Sequence, residues 1–168
     1  MEFNLYLDSD EIFYKWRPYV MDKYFNGNDI DWLNKHPQRD EMLSEGYKAE
    51  PNLFANLWTY DDSAYFINSL RDAGIPFKIL TSIGTVHHLP EQARHDKCLR
   101  FYEDFNVRSS DVITVMKSED KRTFVKGKYC ILVDDYHRNT SQWEDSGGTA
   151  ILHTHGTHTF KETLERIK

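Results

Sequence analysis

Phe3-Asn4-Leu5-Tyr6-Leu7-Asp8-Ser9-Asp10 shows the pattern from which the fold is predicted: a short, mostly apolar run that ends at acidic residues. The pattern returns in two places. Phe77-Lys78-Ile79-Leu80 runs into Thr81-Ser82, and residues 129–133 run into Asp134-Asp135. Short apolar runs bounded by polar residues indicate buried strands. We therefore expect strands here, each followed by a polar pair.

Stretches with a helical spacing of apolar residues separate these strands. Between residues 12 and 24, apolar side chains recur at three- and four-residue steps. Further helices are predicted over 61–73, 90–105, 139–146 and 159–167, and further strands over 111–116 and 149–152. Alternating strands and helices predict an α/β fold with a doubly wound, Rossmann-like parallel sheet. In such a sheet the carboxyl ends of the strands meet at one edge, where ligands bind.

The polar stretch 26–60 interrupts this alternation after the first strand–helix unit. We interpret it as a small helical cap within a single domain that spans 1–168. Its aromatic residues Phe54 and Trp58, together with Trp16 on the first helix, are candidates to stack on a nucleobase. The alternative for the cap aromatics is that they only pack the cap itself.

Composition narrows the class of protein. Hydrophobic residues make up 39% of the chain, enough for a packed core, and the net charge of −6 argues against a nucleic-acid coat. The two cysteines have no paired spacing, which favours a reducing compartment. We find neither a signal peptide nor an apolar run of membrane-spanning length. We expect a cytoplasmic protein with neither a membrane nor duplex nucleic acid as partner, and leave a homodimer open.

The polar residues at the strand ends fit one reaction. The carboxylate of Asp8 can attack phosphorus, and Asp10 can protonate the leaving oxygen and then activate water. A carboxylate cluster attracts Mg²⁺, and a hydroxyl such as that of Thr81 and a lysine can bind the phosphate. A lone Asp-x-Asp is common in loops, and an aspartate pair after a strand often only caps a helix. The combination of such strand ends is what favours catalysis.

These residues resemble, in order, the motifs of the haloacid dehalogenase-like hydrolases. Asp8-Ser9-Asp10 is similar to the first motif, Thr81 to the second and Asp134-Asp135 to the fourth. Within that family the resemblance is to 5′-nucleotidases of the deoxyribonucleotidase type, including short bacterial and phage forms. Their second motif is similar to Leu80-Thr81-Ser82, and their C-terminal signature to the segment 131–151.

The resemblance implies a role for each residue. Asp8 would be the nucleophile and a metal ligand. Asp10 would be the general acid and base, with its backbone carbonyl on Mg²⁺. Asp134 would complete the protein's metal ligands, with Asp135 in support, and Thr81 would bind the phosphate.

Lysines are harder to assign from the sequence. Lys121 is favoured for the third motif, because the residues around it are similar to the family's lysine before an aromatic–alanine pair; Lys126 and Lys128 are alternatives. Ser82 and Lys97 are further candidates for phosphate contacts. The alternative for Lys97 is an ordinary charge on a helix surface.

Glu11 and the histidines are not explained by the resemblance to the hydrolase family. Glu11 stands where the family usually has glycine; a side chain there needs different backbone freedom, and its carboxylate can weaken phosphate binding. The histidines at 153, 155 and 158 and at 87–88 allow a transition-metal site. They match no zinc motif, and histidines in loops near a phosphate site are the simpler account.

The sequence therefore predicts a Mg²⁺-dependent phosphatase that acts through an aspartyl-phosphate on nucleoside monophosphates, preferably deoxynucleotides. One alternative is a phosphatase of another small phosphoester or of a polynucleotide end. Another is a binding protein of this fold with little turnover, which Glu11 favours. A receiver-like module phosphorylated on Asp8 fits less well, because Asp10 and Thr81 suit rapid hydrolysis.

Overall fold

The computed structural model describes residues 3–168, in which five parallel strands form one sheet. The strands are β1 (Asn4–Leu7), β2 (Phe77–Ser82), β3 (Val112–Val115), β4 (Cys130–Asp134) and β5 (Thr149–Leu152), in the spatial order β3-β2-β1-β4-β5. The predicted doubly wound parallel sheet is confirmed. The strand order reverses between β1 and β4, and such a reversal opens a crevice at the carboxyl edge of the sheet.

Helices fill the connections between the strands. They are α1 (Trp16–Tyr24), α2 (Ile30–Lys35), α3 (Arg39–Ala49), α4 (Leu53–Asn56), α5 (Ser63–Asp72), α6 (Pro90–Phe105), α7 (His137–Asp145) and α8 (Phe160–Ile167). Short 3₁₀ helices cover Ser109–Asp111 and Ser118–Phe124. No helix within residues 3–168 has both the length and the apolar character needed to cross a bilayer. The stretch predicted as a cap holds α2, α3 and α4.

The first helix begins later than predicted, at Trp16 instead of residue 12. The preceding residues form a tight turn instead, in which the backbone N–H of Phe13 donates to the carbonyl of Ser9 at 2.9 Å. Phe13 is fully buried and its ring contacts those of Phe66 and Phe160 in the core. The apolar residues that looked like the start of a helix therefore belong to a buried loop, which periodicity alone cannot distinguish.

The register of the central strands decides where the site lies. Leu7, the last residue of β1, pairs with Ile79 in β2 and with Val133 in β4. All three side chains are fully buried. Because the strands are parallel and in this register, the residues that follow each of them lie at the same edge.

Candidate active site

The carboxyl ends of β1 and β4 bring three acidic side chains together. Asp8 follows β1 directly, and its backbone N–H donates to the carbonyl of Val133 at 2.9 Å, which holds the strand ends side by side. One carboxylate oxygen from each of Asp8, Asp134 and Asp135 lies within 4.8 Å of the others. Three of the four predicted metal ligands thus share one site through their side chains.

Lys121 lies between two of these carboxylates. Its Nζ is 2.8 Å from Oδ1 of Asp8 and 2.7 Å from Oδ2 of Asp134. Burial lowers the pKa of Lys121, but the charges of the two aspartates outweigh it and hold the pKa above its usual value. Lys126 and Lys128, the alternatives from the sequence, are both exposed. The geometry thus puts Lys121, and neither alternative, beside the predicted nucleophile.

Asp135 is paired with Arg17, a residue that the sequence did not single out. Nη2 of Arg17 donates to Oδ2 of Asp135 at 2.6 Å. The pKa of Asp135 is nevertheless raised to about 8, mainly because the side chain is buried and secondly because of the charge of Asp8. The same two causes raise the pKa of Asp134. Arg17 is one of many basic residues in the chain, and nothing in its spacing marks it for the site.

The chemistry of this cluster suits a hard divalent cation. Three carboxylates at this spacing repel one another when ionised, and Mg²⁺ accepts carboxylate and carbonyl oxygens as ligands. Asn139 adds a second indication. Its Nδ2 donates to both carboxylate oxygens of Asp134 at 3.1 Å, while its buried Oδ1 has no hydrogen-bond partner. A cation or its bound water would satisfy that oxygen.

The Asp10 side chain is not part of this cluster, but it lines the same cavity as Asp8. Both of its carboxylate oxygens accept hydrogen bonds from Nζ of Lys97, at 2.9 and 2.8 Å, and the same Nζ lies 3.0 Å from Oγ1 of Thr81. Burial raises the pKa of Asp10, although the charge of Lys97 opposes this effect. The metal contact through the Asp10 backbone carbonyl stays a prediction.

A cavity of about 660 Å³ extends from the acidic cluster towards α2–α4. It is lined by Asp8, Trp16, Phe54 and Ser82, among others. Phe54 is itself almost fully buried. The structure does not bring Trp58 to this cavity. Trp58 is 46% exposed and packs edge-on against Tyr19.

Glu11 occupies a backbone conformation that favours glycine, with φ of 62°. Its side chain lines the cavity but is held at both oxygens: Oε1 accepts from the backbone N–H of Arg17 at 2.6 Å, and Oε2 from the hydroxyl of Tyr60 at 3.0 Å. The carboxylate therefore caps the first turn of α1 and lies outside the acidic cluster of Asp8. Burial raises the pKa of Glu11.

Two of the C-terminal histidines make hydrogen bonds within the fold. Nδ1 of the buried His153 lies 2.8 Å from Oγ1 of Thr163, and Nε2 of His155 lies 3.0 Å from the carbonyl of Ile12. The His155 ring stacks flat on Tyr60. Within residues 3–168, no histidine belongs to a group of side chains spaced to hold a metal ion.

Comparison with known proteins identifies the fold. No protein-family model and no curated protein matches the sequence. Among solved structures, a hydrolase of the haloacid dehalogenase (HAD) family from Deinococcus radiodurans, with bound phosphate and sodium, aligns over 98% of this chain and 87% of its own, with a TM-score of 0.58 and 16% identity. A haloacid dehalogenase-like hydrolase from Streptococcus pneumoniae aligns over 99% and 98%, with a TM-score of 0.61 and 13% identity.

A HAD hydrolase of family IA from Entamoeba histolytica aligns over 98% of this chain and 89% of its own, with a TM-score of 0.58 and 15% identity. These likenesses show the fold: the protein has the α/β fold of the haloacid dehalogenase-like hydrolases. They do not distinguish substrates, so the nucleotidase subtype stays a prediction.

Proposed function

We propose that the protein is a Mg²⁺-dependent phosphatase in which Asp8 is the nucleophile, and that its substrates are nucleoside monophosphates. The observation that carries this proposal is the position of Asp8. Its carboxylate lies at the carboxyl edge of the sheet, beside Lys121 and two further aspartates, and faces a cavity large enough for a nucleotide.

The side chains can divide the reaction between them. A carboxylate oxygen of Asp8 attacks phosphorus, and the bond from phosphorus to the leaving oxygen breaks as Asp10 gives that oxygen a proton. Asp10 then takes a proton from the water that attacks the aspartyl-phosphate, which releases phosphate and restores Asp8. Lys121 stabilises the negative charge on the transferring group. Bound to the carboxylates of the cluster, Mg²⁺ would supply further positive charge there.

The acidic cluster favours a phosphatase over a dehalogenase. One of the structurally similar proteins is a dehalogenase, with a TM-score of 0.61 and 11% identity, so the fold alone does not separate the two reactions. A phosphate dianion entering a site with three carboxylates needs strong compensation by positive charge, which a divalent cation beside Lys121 provides. A nucleophilic carboxylate that displaces a halide has no comparable need.

The cavity supports a nucleoside as leaving group. Its volume of about 660 Å³ is in the range of small-molecule sites, and the half-buried indole of Trp16 lies in its wall. An aromatic ring in this position offers a nucleobase a surface for stacking.

A panel of nucleoside monophosphates and simple phosphate esters, assayed with and without Mg²⁺, tests the proposal. Asp8→Asn should lower phosphate release by about 10⁴-fold or more while circular dichroism shows an unchanged fold. Asp145→Asn, a matched change at an exposed aspartate of α7, should leave activity unchanged. Retained activity in Asp8→Asn would refute the nucleophile assignment. Phosphate and metal binding without turnover of any ester would favour the binding-protein alternative.

A further inference from the structure

Lys97 is a buried lysine in the middle of α6, with 3% of its surface exposed. A buried ammonium group must be paired and hydrogen-bonded to be tolerated. The sequence suggested either a phosphate contact or an ordinary surface charge for this residue, and its burial excludes the surface charge.

The hydrogen-bonding capacity of the Lys97 ammonium is already used within the protein. An ammonium group has three protons to donate. Its Nζ lies 2.8 and 2.9 Å from the carboxylate oxygens of Asp10 and 3.0 Å from Oγ1 of Thr81. It also lies 4.3 Å from the centre of the Phe54 ring, a cation–π contact with α4. No donor is left over for a phosphate oxygen.

These contacts orient two groups that the proposed reaction uses. Lys97 donates to both carboxylate oxygens of Asp10, which limits the rotation of that side chain. When Asp10 carries the proton that it gives to the leaving group, Lys97 keeps its hydrogen bond to the oxygen without the proton. Because the ammonium donates to Oγ1 of Thr81, that oxygen already accepts a hydrogen bond, and its own proton is free to be donated. A hydroxyl that donates is the form needed to bind a phosphate oxygen.

We infer that Lys97 is a positioning residue for the general acid Asp10 and for the Thr81 hydroxyl, and that it makes no contact with the phosphate. The inference rests on the proposed phosphatase function. It predicts that loss of Lys97 slows the transfer step far more than it weakens phosphate binding, whereas loss of a direct phosphate ligand would weaken binding by a comparable factor.

The test combines Lys97→Met with measurements of turnover and binding. For a nucleoside monophosphate, whose alkoxide leaving group needs a proton, kcat/KM should fall about 100-fold. For 4-nitrophenyl phosphate, whose leaving group needs none, the fall should be at least about tenfold smaller. The Kd of inorganic phosphate, measured by calorimetry with Mg²⁺, should change by less than about threefold. Lys97→Arg should recover part of the lost activity.

A double variant tests whether Lys97 acts through Asp10. In an Asp10→Asn background, adding Lys97→Met should cost no more than about threefold in kcat/KM, because the group being positioned is already lost. The double variant also removes both charges, so it should fold even where Lys97→Met alone does not. Arg94→Met, a basic residue one turn earlier on the exposed face of α6, is the matched control and should behave as the wild type.

Specific results would overturn the inference. They are a tenfold or greater rise in the phosphate Kd, equal losses for both leaving groups, or additive losses in the double variant. If the wild type hydrolyses no ester, the proposed function fails by itself. A crystal structure of Lys97→Met then decides the inference, which falls if the Asp10 carboxylate keeps its orientation.

Discussion

Replacing Lys121 by methionine removes a buried positive charge while keeping most of the apolar length of its side chain. Its Nζ makes two charge-assisted contacts, at 2.8 Å to Asp8 and 2.7 Å to Asp134. Breaking a buried ion pair from one side typically costs about 3–5 kcal/mol, because the partner charges stay buried without compensation. For a chain of this size, each kcal/mol corresponds to about 2–4 °C in Tm, so we expect Tm to fall by about 10 °C.

Urea unfolding followed by circular dichroism, in EDTA, measures this loss directly. Added Mg²⁺ should reduce it, since a cation at the cluster compensates the same carboxylates. Lys121→Met with Asp134→Asn should recover part of the stability, because one of the uncompensated charges is gone. Lys126→Met, at an exposed lysine, should stay within about 0.5 kcal/mol of the wild type. A loss below about 1 kcal/mol in Lys121→Met would refute the view that this lysine balances the site.

Gly148→Ala should destabilise the fold by about 2–3 kcal/mol in thermal unfolding, since a Cβ at this position would overlap the indole of the fully buried Trp143; an unchanged Tm would contradict the packing described. In metal-free protein, the pKa of Asp135 is about 8 against an ordinary 3.8, so the folded state keeps a proton that the unfolded state loses, and stability falls as pH rises from 4 to 8. Thermal scans in EDTA should give a lower Tm at pH 8 than at pH 6, and Mg²⁺ should reduce the difference. A higher Tm at pH 8 would contradict the raised pKa of Asp135. Trp16→Ala should raise KM for a nucleoside monophosphate at least about fivefold more than it raises KM for phenyl phosphate. Trp58→Ala should leave both KM values unchanged. Equal effects of Trp16→Ala on the two substrates would refute the stacking role of Trp16.

Those features of the fold that depend on local pattern could be predicted from the sequence. The helix over Pro90–Phe105 and the strand over Thr149–Leu152 have the predicted bounds, because each has a clear start and stop signal. The meeting of Asp8 with Asp134 was also predictable in principle, since parallel strands put their carboxyl ends at one edge. In these cases short-range pattern and one topological rule are enough.

Contacts between side chains distant in sequence could not be predicted in the same way. The pairing of Lys97 with Asp10 depends on the packing of α6 against the loop after β1, and the pairing of Arg17 with Asp135 joins residues 118 apart in the chain. Trp58 looked suited to a ligand by residue type, but it packs against Tyr19 and does not line the cavity. Residue type indicates what a side chain can do, and tertiary packing decides whether it does so.

The central position of β1 has a consequence for how the protein is made. On one side, Asn4 of β1 pairs with Cys130 of β4, so this edge of the first strand stays without its partner until roughly 125 further residues have been synthesised. At ordinary rates of translation that interval is on the order of ten seconds. During this time an apolar strand with free backbone N–H and C=O groups is exposed, and such an edge can pair with other chains. Until residues 130–134 of β4 have been synthesised, β1 is therefore open to pairing with other chains on this side.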